Sequence, residues 1–230
     1  MFPIRDDRIS RRLPLVTFTL IALNVILYLW DRQLNPFAPN IVFADLAMRP
    51  PNVVDALRSG GDQFYLVTVL TSMFLHGNLI HLLGNMLFLF TFGPGVEEAL
   101  GPKRFTLYYL LWGIIAAAAQ IFVDPNTPNF IVGASGAIGG ALGAYFLLFP
   151  ANKIEIATPI GVWDVSAWIL LGLWFLYQIL IPQQGVANWA HAGGFLAGMA
   201  TILVLGGRER VFGGRKLEEL DDGEPVVDSA

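Results

Sequence analysis

Apolar residues fall along this chain in six long runs, roughly 14 to 30, 77 to 92, 105 to 122, 135 to 149, 165 to 181 and 188 to 205, separated by polar or proline- and glycine-rich stretches. Each is read as a candidate to cross a hydrocarbon layer about 30 Å thick. A segment isolated in lipid has to satisfy its backbone hydrogen bonds internally, so all six are predicted as helices. The fold class is therefore expected to be all-α, a polytopic six-helix membrane bundle. The first run follows a basic stretch, as a cleavable signal peptide would. It lacks a small-residue cleavage site and five more runs follow, so it is expected to stay as a signal anchor.

Composition moves the picture in the same direction. The 230 residues are 55% hydrophobic and only 14% charged, with a mean hydropathy of +0.58, a value ordinary soluble domains rarely reach. The absence of cysteine excludes disulfides, thiolate nucleophiles and cysteine metal sites.

Charge placement sets an orientation. Arg5, Arg8, Arg11, Arg12, Lys103, Arg104, Lys153, Arg208, Arg210, Arg215 and Lys216 fall on one side of the runs, against Arg32, Arg49 and Arg58 on the other. By the positive-inside rule both termini face the cytoplasm, and a prokaryotic cytoplasmic membrane is the expected location. The net charge of −4 comes largely from Glu218, Glu219, Asp221, Asp222, Glu224 and Asp228, an acidic tail without apolar pattern that is expected to be disordered. The division expected is a cytoplasmic segment at 1–13, the membrane domain at 14–205 and the tail at 206–230. Between the first two runs lies an outer loop of about 46 residues, too long for a mere connection. Within it 51 to 58 reads as a short helix, and 64 to 75 is apolar enough to lie in the outer leaflet.

The unusual polar residues gather in one place. Runs two, four and six all travel from outside to inside, and their beginnings carry His76, His81 and Asn85, then Ser135, then Asn188 and His191. All three histidines thus share one leaflet, and polar groups at membrane depth are costly enough to imply function. The fourth run, from Ser135 to Phe149, covers only about 22 Å at 1.5 Å per residue, which places Ser135 below the outer surface. Residues 128 to 134 before it are expected to dip inward as irregular backbone lining a watery cavity.

Glycines make close helix approach feasible. Gly136, Gly139, Gly140 and Gly143 form one small-residue stripe and Gly194 and Gly198 another, and packing of the two would carry His191 towards Ser135. A nucleophilic serine needs its base within about 2.6 to 3.2 Å. Among the six serines, Ser10, Ser59 and Ser229 lie in exposed polar stretches and Ser166 opens the fifth run at the inner face. Ser72, four residues before His76, is the rival, and local hydrogen bonding accounts for that spacing. His81 and Asn85 share a helix face, and with the Ser135 backbone N–H they could hold an oxyanion. Alternatively they form an interhelical polar cluster that holds the bundle together. Without an accompanying carboxylate or HExxH sequence the histidines do not read as a zinc site, and no metal or cofactor is expected. No carboxylate lies in the outer half of any run, which implies a Ser–His dyad; Asp124, in the loop before the fourth run, could approach, though a loop carboxylate there is more often solvated.

Three motifs together resemble those of the rhomboid intramembrane serine proteases. Gly133-Ala134-Ser135-Gly136 resembles the family's GxSG stretch, His76-x4-His81-x3-Asn85 its HxxxxHxxxN pattern, and Ala190-His191-x2-Gly194-x3-Gly198 its AHxxGxxxG pattern. Gly93-x3-Glu97-x3-Gly101 is similar to a further family pattern and reads as structural. The resemblance implies Ser135 as nucleophile, His191 as general base and then acid, and an oxyanion hole of Ser135 N–H, His81 and Asn85. His76, Gly133, Gly136, Gly194 and Gly198 would support it. It also implies single-span membrane proteins as substrates entering from the lipid bilayer, and no nucleic-acid partner. Two positions depart from the family. Gly139 stands where some members have an aromatic residue that packs on the histidine, and Phe64-Tyr65-Leu66-Val67-Thr68 lacks a Trp-Arg pair that many carry. Two other classes compete: a non-catalytic rhomboid-like protein that binds membrane clients in the same groove, and a small-solute transporter, for which the sequence lacks a convincing internal repeat.

Overall fold

The structure, a computed structural model, describes residues 2–7, 13–181, 183 and 185–213. Residues 214–230 of the expected tail, with its acidic cluster and Arg215 and Lys216, lie outside the described residues, as do Arg8, Arg11 and Arg12 of the orientation argument and Ser10; residues 206–213, expected as the start of the tail, are described, and Phe212 packs into the core. In chain order the elements are strand β1 (Phe2–Asp6) and helices α1 (Leu15–Asp31), α2 (Pro50–Arg58), α3 (Phe64–Thr71), α4 (Leu79–Leu100), α5 (Pro102–Val123) and α6 (Ser135–Leu148). Strands β2 (Lys153–Thr158) and β3 (Gly161–Ser166) follow, then helices α7 (Ala167–Leu180), α8 (Asn188–Val204) and α9 (Gly207–Val211). Among the described residues α4 and α5 are long and apolar enough to cross a membrane, while Leu15–Asp31, Phe64–Phe74, Ser135–Leu148 and Ala167–Leu180 are shorter apolar helices. Many large apolar side chains point outward, including Ile80, Leu107, Phe122, Leu173 and Val204. Water would oppose such a surface and lipid would not.

The fold is mostly helical, but the all-α expectation needs correction. An antiparallel sheet in the order β1-β2-β3 joins the beginning of the chain to the connection between α6 and α7. Its signal was present in the sequence: Lys153-Ile154-Glu155-Ile156 alternates polar and apolar with period two, and Ile154 and Ile156 are buried. The strand pairing Lys153↔Ser166 through Thr158↔Gly161 leaves a two-residue turn at Pro159-Ile160. On the far side Phe2–Asp6 pairs with 154–157, and Thr91 Oγ1 of α4 donates to Pro3 O at 3.1 Å.

Helix α6 sits at the centre, with Ala137 through Tyr145 all buried. Its small residues are what admit its neighbours. A Cβ on Gly194 would run into Gly136 O, one on Gly198 into Gly140 O and one on Gly143 into Phe195 O, so the α6 and α8 backbones touch. On another side Gly140 receives the Trp112 ring of α5, whose Nε1 donates to Thr201 Oγ1 of α8 at 2.9 Å. Close approach replaces the hydrophobic driving force that is missing between helices in lipid.

Glu97, the middle residue of the pattern read as structural, caps a different helix. Pro14 offers no side-chain cap to α1, and the buried Glu97 carboxylate accepts instead from Val16 N at 2.9 Å, Thr17 N at 2.7 Å and Thr17 Oγ1 at 2.7 Å. Unpaired first-turn N–H groups and the positive end of the helix dipole both favour a carboxylate there. At the other end of α1, Arg32, counted above as an outer-loop cation, is buried against Asp31 at 2.6 Å. It also donates to Asn40 O, His76 O and Gly77 O, while Asp31 Oδ1 accepts from Phe43 N. This pair folds the outer loop back onto the segment that leads into α4.

Candidate active site

Ser135 is the first residue of α6, and the backbone enters it through a bend that only glycine takes without strain. Gly133 has φ +123° and donates its N–H to Ser72 O at 2.9 Å. Upstream, Ile131 and Met48 exchange two backbone hydrogen bonds, which fastens the irregular stretch before α6 to the outer loop. Because Ser135 lies in the first helical turn, its own N–H has no carbonyl to meet inside the helix.

His191 lies in the first turn of α8 and its Nε2 is 2.8 Å from Ser135 Oγ. The two half-buried side chains come together because the glycine contacts bring α6 and α8 to backbone distance. Both border a cavity of about 970 Å³ whose wall includes Met48, Ser72, His81, Gln120 and Phe130. Asp124 borders the same cavity, and the described hydrogen bonds of the His191 ring run to Ser135 and to Gln178, not to it. Ser72 Oγ donates to Val69 O, the local bond expected of it.

His81 and Asn85, four residues apart on α4, face the bend at Gly133. A Cβ on Gly133 would lie 2.7 Å from His81 Cε1 and 3.4 Å from Asn85 Nδ2. His76 Nε2 is 3.0 Å from Asn85 Nδ2, and its ring meets that of His81 edge to face with centroids 5.2 Å apart. All three histidines, Asn85 and Ser135 are thus gathered at one end of the bundle. Among the described residues no group of three or more His, Asp or Glu has metal-binding geometry.

Sequence reasoning missed two residues that touch His191. Gln178 Oε1 is 2.9 Å from His191 Nδ1, and the Trp174 ring stacks on the imidazole with centroids 6.0 Å apart and planes 29° apart. Gly139 explains why no aromatic could come from α6: a Cβ there would lie 2.8 Å from His191 O. The available signal was a buried-type amide in an otherwise apolar run, a feature of both Gln178 and Gln120, whose Oε1 accepts from Ala190 N at 3.2 Å.

Comparison with known proteins gives the class. The Rhomboid domain family matches residues 63–208, well over half of the chain, and the chain belongs to the rhomboid family, a family of integral membrane proteins. It is 33% identical over 138 residues to Rhomboid protease GluP of Bacillus subtilis (strain 168), covering 60% of this chain and 26% of that protein. It is 35% identical over 143 residues to RHOMBOID-like protein 2 of Arabidopsis thaliana, covering 60% and 41%. To Rhomboid-like protease 3 of Toxoplasma gondii it is 29% identical over 143 residues, covering 60% and 51%. The chain therefore spans about a quarter to a half of the length of these relatives.

Proposed function

We propose that this protein is an intramembrane serine endopeptidase that cleaves single-span membrane proteins in or near their spanning segment. The observation that carries the reading is the 2.8 Å separation of His191 Nε2 and Ser135 Oγ at the edge of a large cavity. Names of relatives as proteases support the same activity. In this reading α1, α4, α5, α6, α7 and α8 all cross a prokaryotic cytoplasmic membrane, and both termini lie on its cytoplasmic side.

The chemistry follows serine hydrolysis. His191 Nε2 takes the Ser135 hydroxyl proton as Oγ attacks the scissile carbonyl carbon. The oxyanion that forms is held by the Ser135 N–H, His81 and Asn85, with His76 holding the Asn85 amide. Such donors are worth most in a site already shielded from water. His191 then returns the proton to the leaving amine, which departs and leaves an acyl-serine. Water enters, gives a proton to His191 and attacks the ester, and collapse of the second intermediate frees the new carboxyl terminus and reprotonates Ser135. A substrate helix must unwind locally first, since its carbonyls are otherwise occupied.

The test is cleavage of a single-span reporter by purified protein, with fluorophosphonate labelling of the nucleophile in parallel. Wild type should label and cleave, and Ser135→Ala and His191→Ala should do neither. A wild type that captures reporters yet neither labels nor cuts them would favour the client-binding alternative.

A further inference from the structure

Two amides stand behind His191, and the direction of their hydrogen bonds can be traced from a donor that cannot be reversed. The Gln183 backbone N–H points at Asn188 Oδ1, 3.2 Å away. A backbone nitrogen only donates, so the oxygen of the Asn188 amide faces it and the other end of that amide, Nδ2, is the NH2 group. Asn188 Nδ2 lies 3.2 Å from Gln178, which must present its carbonyl oxygen, Oε1, to accept. The same Oε1 lies 2.9 Å from His191 Nδ1. A neutral imidazole with its lone pair on Nδ1 would set two acceptors against each other there. The proton therefore belongs on Nδ1, and the lone pair belongs on Nε2, facing Ser135 Oγ at 2.8 Å. Gln178 and Asn188 are 6% and 7% exposed, so little water competes for these bonds.

We propose that Gln178, with its amide oriented by Asn188, is a positioning residue that fixes the tautomer and ring angle of His191, an uncharged third member behind the Ser–His pair. This rests on the reading of Ser135 and His191 as nucleophile and base. Trp174 supplies the second constraint by covering the imidazole face from α7, the place left open because Gly139 must remain small. A neutral acceptor suits the setting. Its oxygen accepts a hydrogen bond from Nδ1–H in both the imidazole and the imidazolium form, without the cost of a carboxylate buried away from water.

The prediction separates orientation from mere packing. Gln178→Leu removes the acceptor at similar size, whereas Gln178→Glu keeps an acceptor whichever way the side chain turns. Asn188→Asp replaces the NH2 with an acceptor and would turn the Gln178 amide over, which puts a donor against Nδ1 and drives the proton to Nε2. Steady-state kinetics on the single-span reporter should show Gln178→Leu lowering kcat by more than about tenfold with KM unchanged. Asn188→Asp should approach the roughly 10⁴-fold loss that a reversed tautomer brings in soluble serine proteases. Gln178→Glu should be at least tenfold faster than Gln178→Leu. In ¹⁵N-histidine-labelled wild type, the ring signals that vanish in His191→Ala should show Nδ1 protonated and Nε2 bare.

Folded Gln178→Leu within tenfold of wild-type kcat, or Gln178→Glu no faster than Gln178→Leu, overturns the proposal. So does a proton found on Nε2, a result that stands even where a variant fails to fold. A wild type inert to the fluorophosphonate would instead defeat the nucleophile assignment. Normal wild-type labelling and cleavage with indifferent Gln178 variants would defeat this inference alone.

Discussion

Gly139→Ala is the sharpest probe of how the Ser135–His191 distance is set. The added methyl would lie 2.8 Å from His191 O and 3.4 Å from Phe195 N, so the first contact falls short of the 3.4 Å of ordinary packing by about 0.6 Å. The obstacle is backbone, which cannot swing aside as a side-chain tip can. If α8 yields by that amount at His191, the 2.8 Å Ser135–His191 contact opens to about 3.4 Å, outside the roughly 2.6 to 3.2 Å that proton transfer needs. A full ångström of misplacement can cost about 10²-fold, so kcat should fall by roughly tenfold, with about 1 to 3 kcal/mol lost to overpacking. Reporter kinetics in detergent, paired with thermal unfolding, measure both. Gly84→Ala is the control: nothing lies within 4 Å of its new methyl, and the helix should gain about 0.5 to 1 kcal/mol with kcat unchanged. Wild-type kcat and stability in Gly139→Ala would refute the claim that backbone contact between α6 and α8 sets the catalytic distance.

Three further outcomes are expected. His81→Ala and Asn85→Ala should each lose roughly 10² to 10³ in kcat, and Gly133→Ala should fall similarly, because its methyl meets His81 Cε1 at 2.7 Å on a backbone with φ +123°. Arg32→Met strands the buried Asp31 and frees the His76 and Gly77 carbonyls, and should cost about 3 to 5 kcal/mol in unfolding free energy; adding Asp31→Leu should recover part of it. Glu97→Ala removes three acceptor contacts from the start of α1 and should cost about 3 kcal/mol, with faster hydrogen exchange confined at first to residues 15 to 20.

Local patterns were legible and distant partnerships were not. Apolar runs give the helices to within a few residues, except that α4 continues to Leu100, eight residues past the run that ends at 92. In the structure Gly93, Pro94 and Gly95 remain helical, and Gly93 lies against Thr17 of α1. Sequence spacing also gathered Ser135, His191, His81 and Asn85 at one end, since alternate helices share a direction. It could not supply Gln178, because the bond to His191 Nδ1 depends on the relative rotation of α7 and α8. Arg32 misled for a related reason: a charge beside a long loop reads as solvated, and only the folded loop reveals Asp31 and three backbone carbonyl oxygens around it.

The strap of backbone before Ser135 has a consequence for how such a protein can diversify. Its anchors are Met48 and Ser72, in the loop and the short helical turn ahead of α4, and they are backbone hydrogen bonds indifferent to side-chain identity. Residues 127 to 132 form a wall of the cavity, whereas Ser135 and His191 are brought together by glycine contacts between α6 and α8. Under the proposed function, side chains at 127 to 132 are the ones open to exchange for different guests, whereas Gly133 is not, since a Cβ there meets His81. In that reading selectivity would sit on 127 to 132 and reactivity on Ser135 and His191, so that one could drift without dragging the other along.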